Sequence, residues 1–373
     1  MAVRKRPAAA HARATATKGC KRRRVRIGST EDYEFDDAPC LGKGSFGTVV
    51  RARHRATGRT VAIKFPGGSE DPADAAAELR REAGFLAACA GNPYVVGSHG
   101  LVCDPATPRL GLAMEYVAGP SLHGFLRERA PLPEPIVCAY MWRLLTGAEK
   151  MHRLGIVHRD LKPSNVLVGK GGKILKICDL GLAMSLRTAD RTWCSDAGTL
   201  PYMAPEVLLG KPDYDAGADA WSLGCVMAEM LTGRPLFKGD VRRDDAVRQL
   251  RTIFRVLGSP DDRTWPEYMS LPLAGAVQRS FQSREQQRST LGDLFPAEML
   301  SEDGYQVLEG LLECNPGKRL TAAAALQLPW FMPEIDVGTN TDDAFIPPAT
   351  PREENLLRIP LEMWKNSQRL ECA

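Results

Sequence analysis

Residues 158–165 read His-Arg-Asp-Leu-Lys-Pro-Ser-Asn and place an acid, a cation and an amide within six positions. Asp160 can accept the proton of an attacking hydroxyl, Lys162 can neutralise charge on a phosphoryl group in transfer, and Asn165 can hold a metal ion. The apolar segment Val166–Val168 follows and can anchor the loop in a core. This octet therefore predicts phosphoryl transfer from a Mg²⁺-nucleotide, whereas the plainer interpretation is a charged turn between a helix and a strand.

A second acid follows an apolar run later in the chain. Asp179 lies 14 residues after Asn165 and comes directly after Cys178, behind the strand-like run Ile174–Ile177. An Asp at the end of a buried strand can ligate Mg²⁺ between the β- and γ-phosphates of a nucleotide. The alternative is an ordinary Asp-x-Gly turn that ends a strand, with Gly181 supplying the sharp bend.

A glycine-rich segment near the N-terminus has the pattern G-x-G-x-x-G-x-V and lies between strand-like runs, which argues against a dinucleotide-binding strand-to-helix turn. Glycines lack a Cβ, so the backbone can approach phosphate oxygens closely, and the final Val can cover an adenine ring. An ordinary glycine-rich hairpin is the alternative. The residues are Gly42, Lys43, Gly44, Ser45, Phe46, Gly47, Thr48 and Val49.

Lys64 closes the β-rich run Val61–Phe65, 17 residues after the last glycine of that segment. From there it can reach the α- and β-phosphates, and a buried Lys needs a carboxylate partner. The Ala- and Glu-rich stretch 72–90 predicts a helix with Glu78 and Glu82 on one face. We expect Glu82 to pair with Lys64 and keep Glu78 as the alternative.

The predicted elements change along the chain. Residues 33–117 show short strand-like runs around one helix, and residues after 120 are predominantly helical. Helices are predicted over 134–153, 216–232, 242–257, 301–313 and 321–328. The expected fold is α+β and bilobal, with a small β-rich lobe followed by a larger helical one. The octet falls in the second lobe.

Two further pairings are expected within the helical part. Glu206, in Ala204-Pro205-Glu206, can pair with Arg319, and Asp219 can accept backbone N–H groups from the octet. The alternatives are an ordinary surface salt bridge and an ordinary helix cap.

Composition limits the class of protein. The chain has 373 residues, of which 44% are hydrophobic, so it can bury substantial cores. We find no run of about 18 apolar residues that could cross a membrane and no apolar signal-peptide core. Its ten cysteines are scattered without a Cys-x-x-Cys pair, which argues against metal clustering and disulfides and favours a reducing compartment.

Charge is distributed unevenly. Residues 1–30 hold ten Lys/Arg and no Asp or Glu, whereas the remainder holds 39 basic and 45 acidic residues. The run Lys21–Arg26 has the pattern of a nuclear import signal, so we expect the nucleus, the cytoplasm or both. A solvated tail and an organelle transit peptide are the alternatives. Nucleic-acid binding is not expected, because no aromatic residues interleave with the basic ones.

In this order and spacing, the motifs resemble a eukaryotic protein kinase from about residue 33 to residue 331. The composition predicts a disordered basic arm over 1–32 and a polar tail over 332–373, and the resemblance implies a kinase domain over 33–331 with lobes of about 33–117 and 118–331. It implies ATP and Mg²⁺ as cofactors and proteins with Ser or Thr as substrates, because Lys162 and Thr199 stand where Ser/Thr kinases have them.

The same resemblance assigns roles by position. It implies that Asp160, Lys162, Asn165, Lys64, Glu82 and Thr199 act in catalysis and that Asn165 and Asp179 hold the metal. ATP binding is implied for Leu41, Ala62, Lys64 and the glycine-rich segment, and for Glu115 and Val117, which match the hinge whose backbone bonds adenine. Met114 would be the gatekeeper. The alternative is a catalytically weak pseudokinase or scaffold, which the complete residue set argues against.

The second half is similar to the cyclin-dependent kinases, and the basic, Ala-rich N-terminus is similar to their plant F-type branch. The resemblance implies a role in cell-cycle or transcription control. The matching segments are Cys178–Ala183, Ser222–Cys225, Arg234–Gly239, Ile253–Pro260 and Trp265-Pro266.

Three departures from that family concern partners and substrates. The helix over 76–82 keeps Glu82 and Arg81 but not the family's small cyclin-facing residues, so the sequence leaves a cyclin partner open. Phe46 replaces a Tyr that inhibitory kinases modify in that family, while Ser45 keeps a hydroxyl and is a candidate phosphosite. Met203 stands where the family has an Arg that favours proline after the target residue, so a proline-directed preference also stays open.

The activation segment departs from the family as well. Cys194 occupies the position of the usual activating Thr, with Thr192 and Ser195 as the alternative phosphosites. A phosphate there would need arginines. Arg159 and Arg81 are present, but Met184 stands in the third arginine position. We expect activation to use Thr192 or Ser195, or to need no phosphate.

Overall fold

The computed structural model describes residues 25–44, 47–67, 71–107, 109–187, 198–213, 215–238, 246–281 and 288–332. The chain divides after Phe331 into two units, and every element described below lies in the first. None of the helices in these ranges is both long and apolar enough to cross a membrane.

The N-terminal part is a twisted sheet whose strands, in the described residues, are ordered β1-β5-β6-β4-β3-β2. All neighbours are antiparallel except β1 and β5. Its β-branched and aromatic side chains form a small core between the strands, with Val61, Ile63 and Val102 at the centre. The strands are β1 (Ile27–Ser29), β2 (Tyr33–Gly44), β3 (Gly47–His54), β4 (Thr60–Phe65), β5 (Ser98–Cys103) and β6 (Leu110–Glu115).

Strand β1 corrects the sequence prediction. Ile27 pairs with Leu101 and Ser29 with Cys103, and the Leu101 N–H donates to the Arg26 carbonyl at 2.8 Å. Residues 25–32 are therefore ordered, and the prediction of a disordered arm through residue 32 is wrong for them. A three-residue strand has too few positions to show alternation, and its stability comes from pairing with a distant edge strand.

Helix α1 (Pro72–Ala88) packs on this sheet, and one of its acids, Glu82, is buried. It begins with Asp71 as N-cap, whose carboxylate accepts from the Ala73 N–H at 2.7 Å. The buried stripe of α1 is Ala75, Leu79, Glu82, Ala83 and Leu86, at helical spacing. Glu82 thus lies in an otherwise apolar face directed at the interior.

The C-terminal part is predominantly helical, and a small set of strands carries the octet and Asp179. Strands β7 (Ile156–Val157) and β10 (Met184–Ser185) pair with each other, as do β8 (Val166–Gly169) and β9 (Ile174–Ile177). The helices are α2 (Leu122–Arg129), α3 (Glu134–Arg153), α4 (Pro205–Leu208), α5 (Gly217–Thr232), α6 (Ala246–Leu257), α7 (Ala274–Ser280), α8 (Leu291–Leu294), α9 (Glu302–Leu311) and α10 (Ala322–Ala325).

Helix α5 is the centre of this part. Its residues from Ala218 to Leu231 are all buried, and α3 and α9 pack against it. Gly233 ends the helix in the left-handed conformation at φ 79°, as a C-terminal Gly does in many helices. The predicted α+β fold with a small β-rich lobe and a larger helical lobe is confirmed.

Most predicted helices begin and end close to the predicted positions. The last one is shorter than predicted, because only Ala322–Ala325 are helical. The predicted start of α6 at residue 242 lies outside the described residues.

Candidate active site

Lys64 joins the two parts of the molecule through two carboxylates. Its Nζ lies 2.9 Å from Glu82 Oε2 and 2.7 Å from Asp179 Oδ1. The Lys64 and Glu82 side chains are only 8% and 3% exposed, whereas Asp179 is 29% exposed. Glu78 is on the solvent side of α1, so the structure pairs Lys64 with the preferred Glu.

Electrostatics hold Lys64 and Asp179 in their charged forms, whereas burial raises the pKa of the Glu82 carboxyl more than the Lys64 charge lowers it. Burial pulls the pKa of the Lys64 ammonium down, but the charges of Glu82 and Asp179 outweigh it and leave that pKa raised. Burial pushes the pKa of the Asp179 carboxyl up, but the charge and hydrogen bond of Lys64 outweigh burial and lower it. Asp179 is therefore an ionised carboxylate that stays partly exposed.

The octet forms a second network around Asp160, which is 5% exposed. Lys162 Nζ lies 2.7 Å from Asp160 Oδ2, and the Thr199 hydroxyl donates to Asp160 Oδ1 at 2.7 Å. Lys162 also donates to Thr199 Oγ1 at 2.7 Å. The Asn165 amide donates to the Asp160 carbonyl at 2.8 Å and to Oδ2 at 3.0 Å. The structure thus brings the predicted acid, cation, amide and hydroxyl together.

Asp219 of α5 holds the backbone of the octet through hydrogen bonds. Its two carboxylate oxygens accept the N–H groups of His158 at 2.8 Å and Arg159 at 2.9 Å, which confirms the predicted pairing. His152 of α3 contacts the same carboxylate at 2.9 Å. Full burial would raise the pKa of the Asp219 carboxyl, but its contacts with His152 and His158 outweigh burial and leave that pKa lowered. Arg159 adopts a left-handed φ of 68° at this turn.

The two networks are connected through Cys178. Its backbone N–H donates to the Asn165 carbonyl at 2.9 Å, and its carbonyl lies 3.0 Å from His158 Nε2. Since the Asp160 N–H donates to His158 Nδ1, the imidazole proton belongs on Nε2, where it bonds Cys178. Asp179 follows in a left-handed conformation with φ 63°. The backbone therefore fixes Asp179 relative to Asp160.

The glycine-rich segment is the hairpin between β2 and β3. Gly42 pairs with Val49, Lys43 with Thr48 and Gly44 with Gly47, while Leu41 is exposed on β2. Gly47 has φ 128°, and a Cβ there would collide with the Phe65 carbonyl of β4. The segment therefore lies beside the strand that carries Lys64. Ser45 and Phe46 lie outside the described residues.

The predicted hinge follows β6. Ala62 of β4 is buried and pairs with Met114, and Val117 is also buried. The Glu115 N–H donates to the Gly97 carbonyl at 2.8 Å, so it is not available to a nucleotide base. The Glu115 carboxylate accepts from Lys176 Nζ at 2.8 Å and from the Gly97 N–H at 3.0 Å.

Comparison with known proteins agrees with this geometry. The sequence matches the protein kinase domain family over residues 35–331. A protein of Oryza sativa subsp. japonica with the provisional name cyclin-dependent kinase F-2 is 42% identical over 305 residues, covering 78% of this chain and 89% of its own length. Cyclin-dependent kinase B2-2 of Arabidopsis thaliana is 34% identical, covering 80% and 92%.

The chain belongs to the protein kinase family, in the cyclin-dependent kinase group. Cyclin-dependent kinase G-2 of Oryza sativa subsp. indica is a longer relative: it is 36% identical over 80% of this chain, which spans 41% of that protein. The protein is a Ser/Thr protein kinase that uses ATP, and its substrates are proteins.

The oxygen atoms near the two networks suit a divalent metal. Asn165 uses its amide nitrogen for both bonds to Asp160, and its carbonyl oxygen takes part in neither. Asp179 adds an ionised carboxylate. Within the described ranges, no group of three or more His, Cys, Asp and Glu side chains could form an all-protein metal cage. A kinase does not need one, because nucleotide phosphates and water complete the coordination of such a metal.

The structure describes only some of the predicted regulatory residues of the kinase. Thr192, Cys194 and Ser195 lie outside the described residues. Arg81 is exposed on α1, and Arg159 Nε donates to the Leu182 carbonyl at 2.6 Å. Met184 lies in β10, where it pairs with Val157 and packs against the main core.

Sequence reasoning missed three hydrogen bonds, of which two lie beside predicted site residues and the third joins α5 to the residues before α4. His152 supports Asp219, Lys176 holds the hinge acid Glu115, and Tyr202 donates its hydroxyl to the buried Glu229 at 2.6 Å. His152 and Lys176 occur in ordinary helical and strand patterns, so nothing local indicates their partners.

Proposed function

We propose that this kinase transfers the γ-phosphoryl group of Mg²⁺-ATP to Ser and Thr hydroxyls by direct in-line attack, with Asp160 as the base. The observation that supports this most is the contact set of Asp160. Its carboxylate is fixed by Lys162, Thr199 and Asn165, and the Asn165 carbonyl accepts from the N–H of Cys178, the residue before Asp179. Such fixed geometry supplies positioning and electrostatic stabilisation, on which phosphoryl transfer depends.

Each residue then has a defined task. Asp160 orients the substrate hydroxyl and takes its proton, and Lys162 neutralises charge on the phosphoryl group in transfer. Lys64, held by Glu82, positions the α- and β-phosphates. Asn165 and Asp179 would hold Mg²⁺, which neutralises charge on the phosphate oxygens when bound.

The substitution Asp160→Asn tests the assignment. It keeps the side-chain shape and an oxygen acceptor for Thr199 but removes the base, so we expect kcat on a protein substrate to fall about 10²–10⁴-fold. Nucleotide affinity, measured with a fluorescent ATP analogue, should stay within about twofold, because Asp160 contacts the hydroxyl and not the nucleotide. Asp213→Asn, in an exposed turn, is the control. Wild-type turnover by Asp160→Asn would refute the assignment.

We also infer that catalysis does not require a cyclin. The names of the relatives point to cyclins as the partner class, and α1 is the element whose position sets Glu82. In the single chain, however, Leu79, Ala83 and Leu86 already hold α1 in place, and the Lys64–Glu82 pair is formed. A kinase assay on a degenerate peptide library, with and without added cyclins, tests this and also measures the preference for proline after the target residue.

For localisation we propose nuclear import through the basic run Lys21–Arg26. The support is its charge density alone. A fluorescent fusion should accumulate in the nucleus, and changing Arg22, Arg23 and Arg24 to Ala should leave it in the cytoplasm. Accumulation in an organelle would instead identify a transit peptide.

A further inference from the structure

The chain that follows Asp179 is attached to α3 by a clasp at residues 184–187. Met184 and Ser185 form β10, which pairs with β7. The Leu186 N–H donates to the Gly155 carbonyl at 2.7 Å. These backbone bonds place the beginning of the activation segment against the residues that end α3.

Arg187 adds a side-chain contact at the same place. Its Nη2 donates to the Arg153 carbonyl at 2.8 Å. Arg153 is the last residue of α3, so its carbonyl lacks an intrahelical donor, and a cation is favourable at this helix end. Gly155 has φ 74°, and a Cβ there would lie 3.0 Å from both Cγ and Nε of Arg187. Gly155 therefore both ends the helix and leaves room for the guanidinium stem.

Helix capping alone does not explain why Arg187 contacts the end of α3. The last turn of α3 already carries Lys150, His152 and Arg153, which satisfy the preference for positive charge there. Arg187 comes from 34 residues downstream of the carbonyl that it binds. Its contact therefore fixes one chain segment against another.

That segment is connected to the reacting groups. At its N-terminal side, Arg159 of the catalytic loop donates to the Leu182 carbonyl at 2.6 Å. At its C-terminal side, Arg187 holds it to α3. Asp179 lies three residues before Leu182 and keeps a left-handed φ of 63°. Freeing the segment at Arg187 would thus loosen the backbone that orients the Asp179 carboxylate towards Lys64.

We propose that Arg187 is a positioning residue that locks the activation segment onto the end of α3 and keeps Asp179 aligned without a phosphate on the segment. The proposal rests on the proposed kinase function. The clasp contacts named above are made by main-chain groups and the Arg187 guanidinium, and the Arg187 N–H also donates to the Ser185 hydroxyl at 3.2 Å, so unmodified groups of this chain are sufficient to form it.

Hydrogen exchange tests the clasp independently of activity. Arg187→Ala should speed amide exchange of Ser185 and Leu186 about five- to tenfold, since one charge-assisted bond is lost at an exposed site. Arg187→Lys, which keeps a cationic donor, should restore most of the protection. Arg153→Ala is the matched control: it removes a positive charge from the same helix end but keeps the carbonyl. Unchanged exchange in Arg187→Ala overturns the proposal.

Kinetics of fully dephosphorylated enzyme, verified by mass spectrometry, test the positioning role. We expect dephosphorylated wild type to remain active and Arg187→Ala to lose about five- to tenfold in kcat, with the KM for ATP and the melting temperature unchanged. Arg187→Lys should recover at least half of the loss, and Arg153→Ala should match wild type.

Three results would overturn the positioning role. They are wild-type kcat in Arg187→Ala, a loss that Lys does not rescue, and inactivity of the dephosphorylated wild type when the phosphorylated form is active. If wild type in any form transfers no phosphate, the proposed function fails, and the exchange comparison alone decides whether Arg187 holds the segment.

Discussion

Lys64 has two carboxylate partners, and their difference in burial separates their roles. Glu82 is enclosed and contacts Lys64, whereas Asp179 is partly exposed and can also meet a ligand. A buried ammonium without a fixed partner would lose much of its charge stabilisation. The orientation of Lys64 therefore depends on Glu82, even though Glu82 is placed to contact no substrate.

Glu82→Gln should lower kcat/KM for peptide phosphorylation about 10–100-fold, because Lys64 then relies on Asp179 alone and draws it away from the metal. Steady-state kinetics at varied ATP would measure the change. Glu78→Gln, on the exposed side of the same helix, is the control and should behave as wild type. Equal effects of both substitutions would contradict the pairing.

Burial also predicts which cysteines react. It raises the pKa of the Cys178 thiol to about 12, so at pH 8 this residue is a neutral, half-buried thiol beside Asp179. Cys40 is exposed on β2. Brief treatment of folded protein with iodoacetamide should label Cys40 and spare Cys178, as read by peptide mass spectrometry, whereas both should be labelled in urea. Labelling of Cys178 in the folded protein would show that its sulfur is accessible.

At the scale of elements, α5 supports the catalytic loop. A helix that is buried along its whole length provides a rigid base, and Asp219 in its first turn receives three donors from the loop and from α3. An Asn in its place offers only one oxygen acceptor, and its amide group would face another N–H donor. The loop geometry thus depends on an ionised acid that never meets the substrate.

Asp219→Asn should lower the free energy of unfolding at pH 7 by about 2–4 kcal/mol. The pKa of Asp219 is lowered in the folded protein from its ordinary 3.8, so its stabilisation is complete above that value and is lost as pH falls through the folded pKa. The difference between wild type and variant should therefore be constant from pH 7 to pH 5 and shrink below about pH 4. Urea unfolding at each pH measures it, and a pH-independent difference would contradict this origin.

At the scale of the whole molecule, one ion pair joins the end of the activation segment to the C-terminal helices. Arg319 and Glu206 form a bidentate pair with both N–O distances at 2.7 Å, and both side chains are almost completely buried. The Arg319 guanidinium also lies 5.2 Å from the centre of the Trp221 ring of α5. The predicted pairing is confirmed, and the ion pair is buried and not on the surface.

Glu206→Gln should destabilise the protein by about 3–5 kcal/mol, because it leaves a buried guanidinium without its counter-charge. Chemical unfolding would measure the loss. The exposed pair of Lys211 and Asp213 is the matched comparison, and Asp213→Ala should change stability by less than about 0.5 kcal/mol. Similar losses in both variants would mean that burial does not set the strength of the pair.

The sequence alone determined the chemistry and its local supports. The types and spacing of the residues in the octet, in the glycine-rich segment and around Asp179 indicate phosphoryl transfer, since each motif is short and read locally. The helices α1, α3 and α5 follow from periodicity and their end signals, which act over a few residues. For the same reason, helical spacing limited the candidate partners of Lys64 to two residues, Glu78 and Glu82.

Only the tertiary structure decided what lies next to what. Lys64 and Asp179 are 115 residues apart, and Glu206 and Arg319 are 113 apart. Burial separated Glu82 from Glu78, and pairing with a distant edge strand ordered β1. The Arg187 contact with α3 has no local signal at all. Contacts of this kind depend on the path of the whole chain, and burial sets their energies, so short-range patterns do not reveal them.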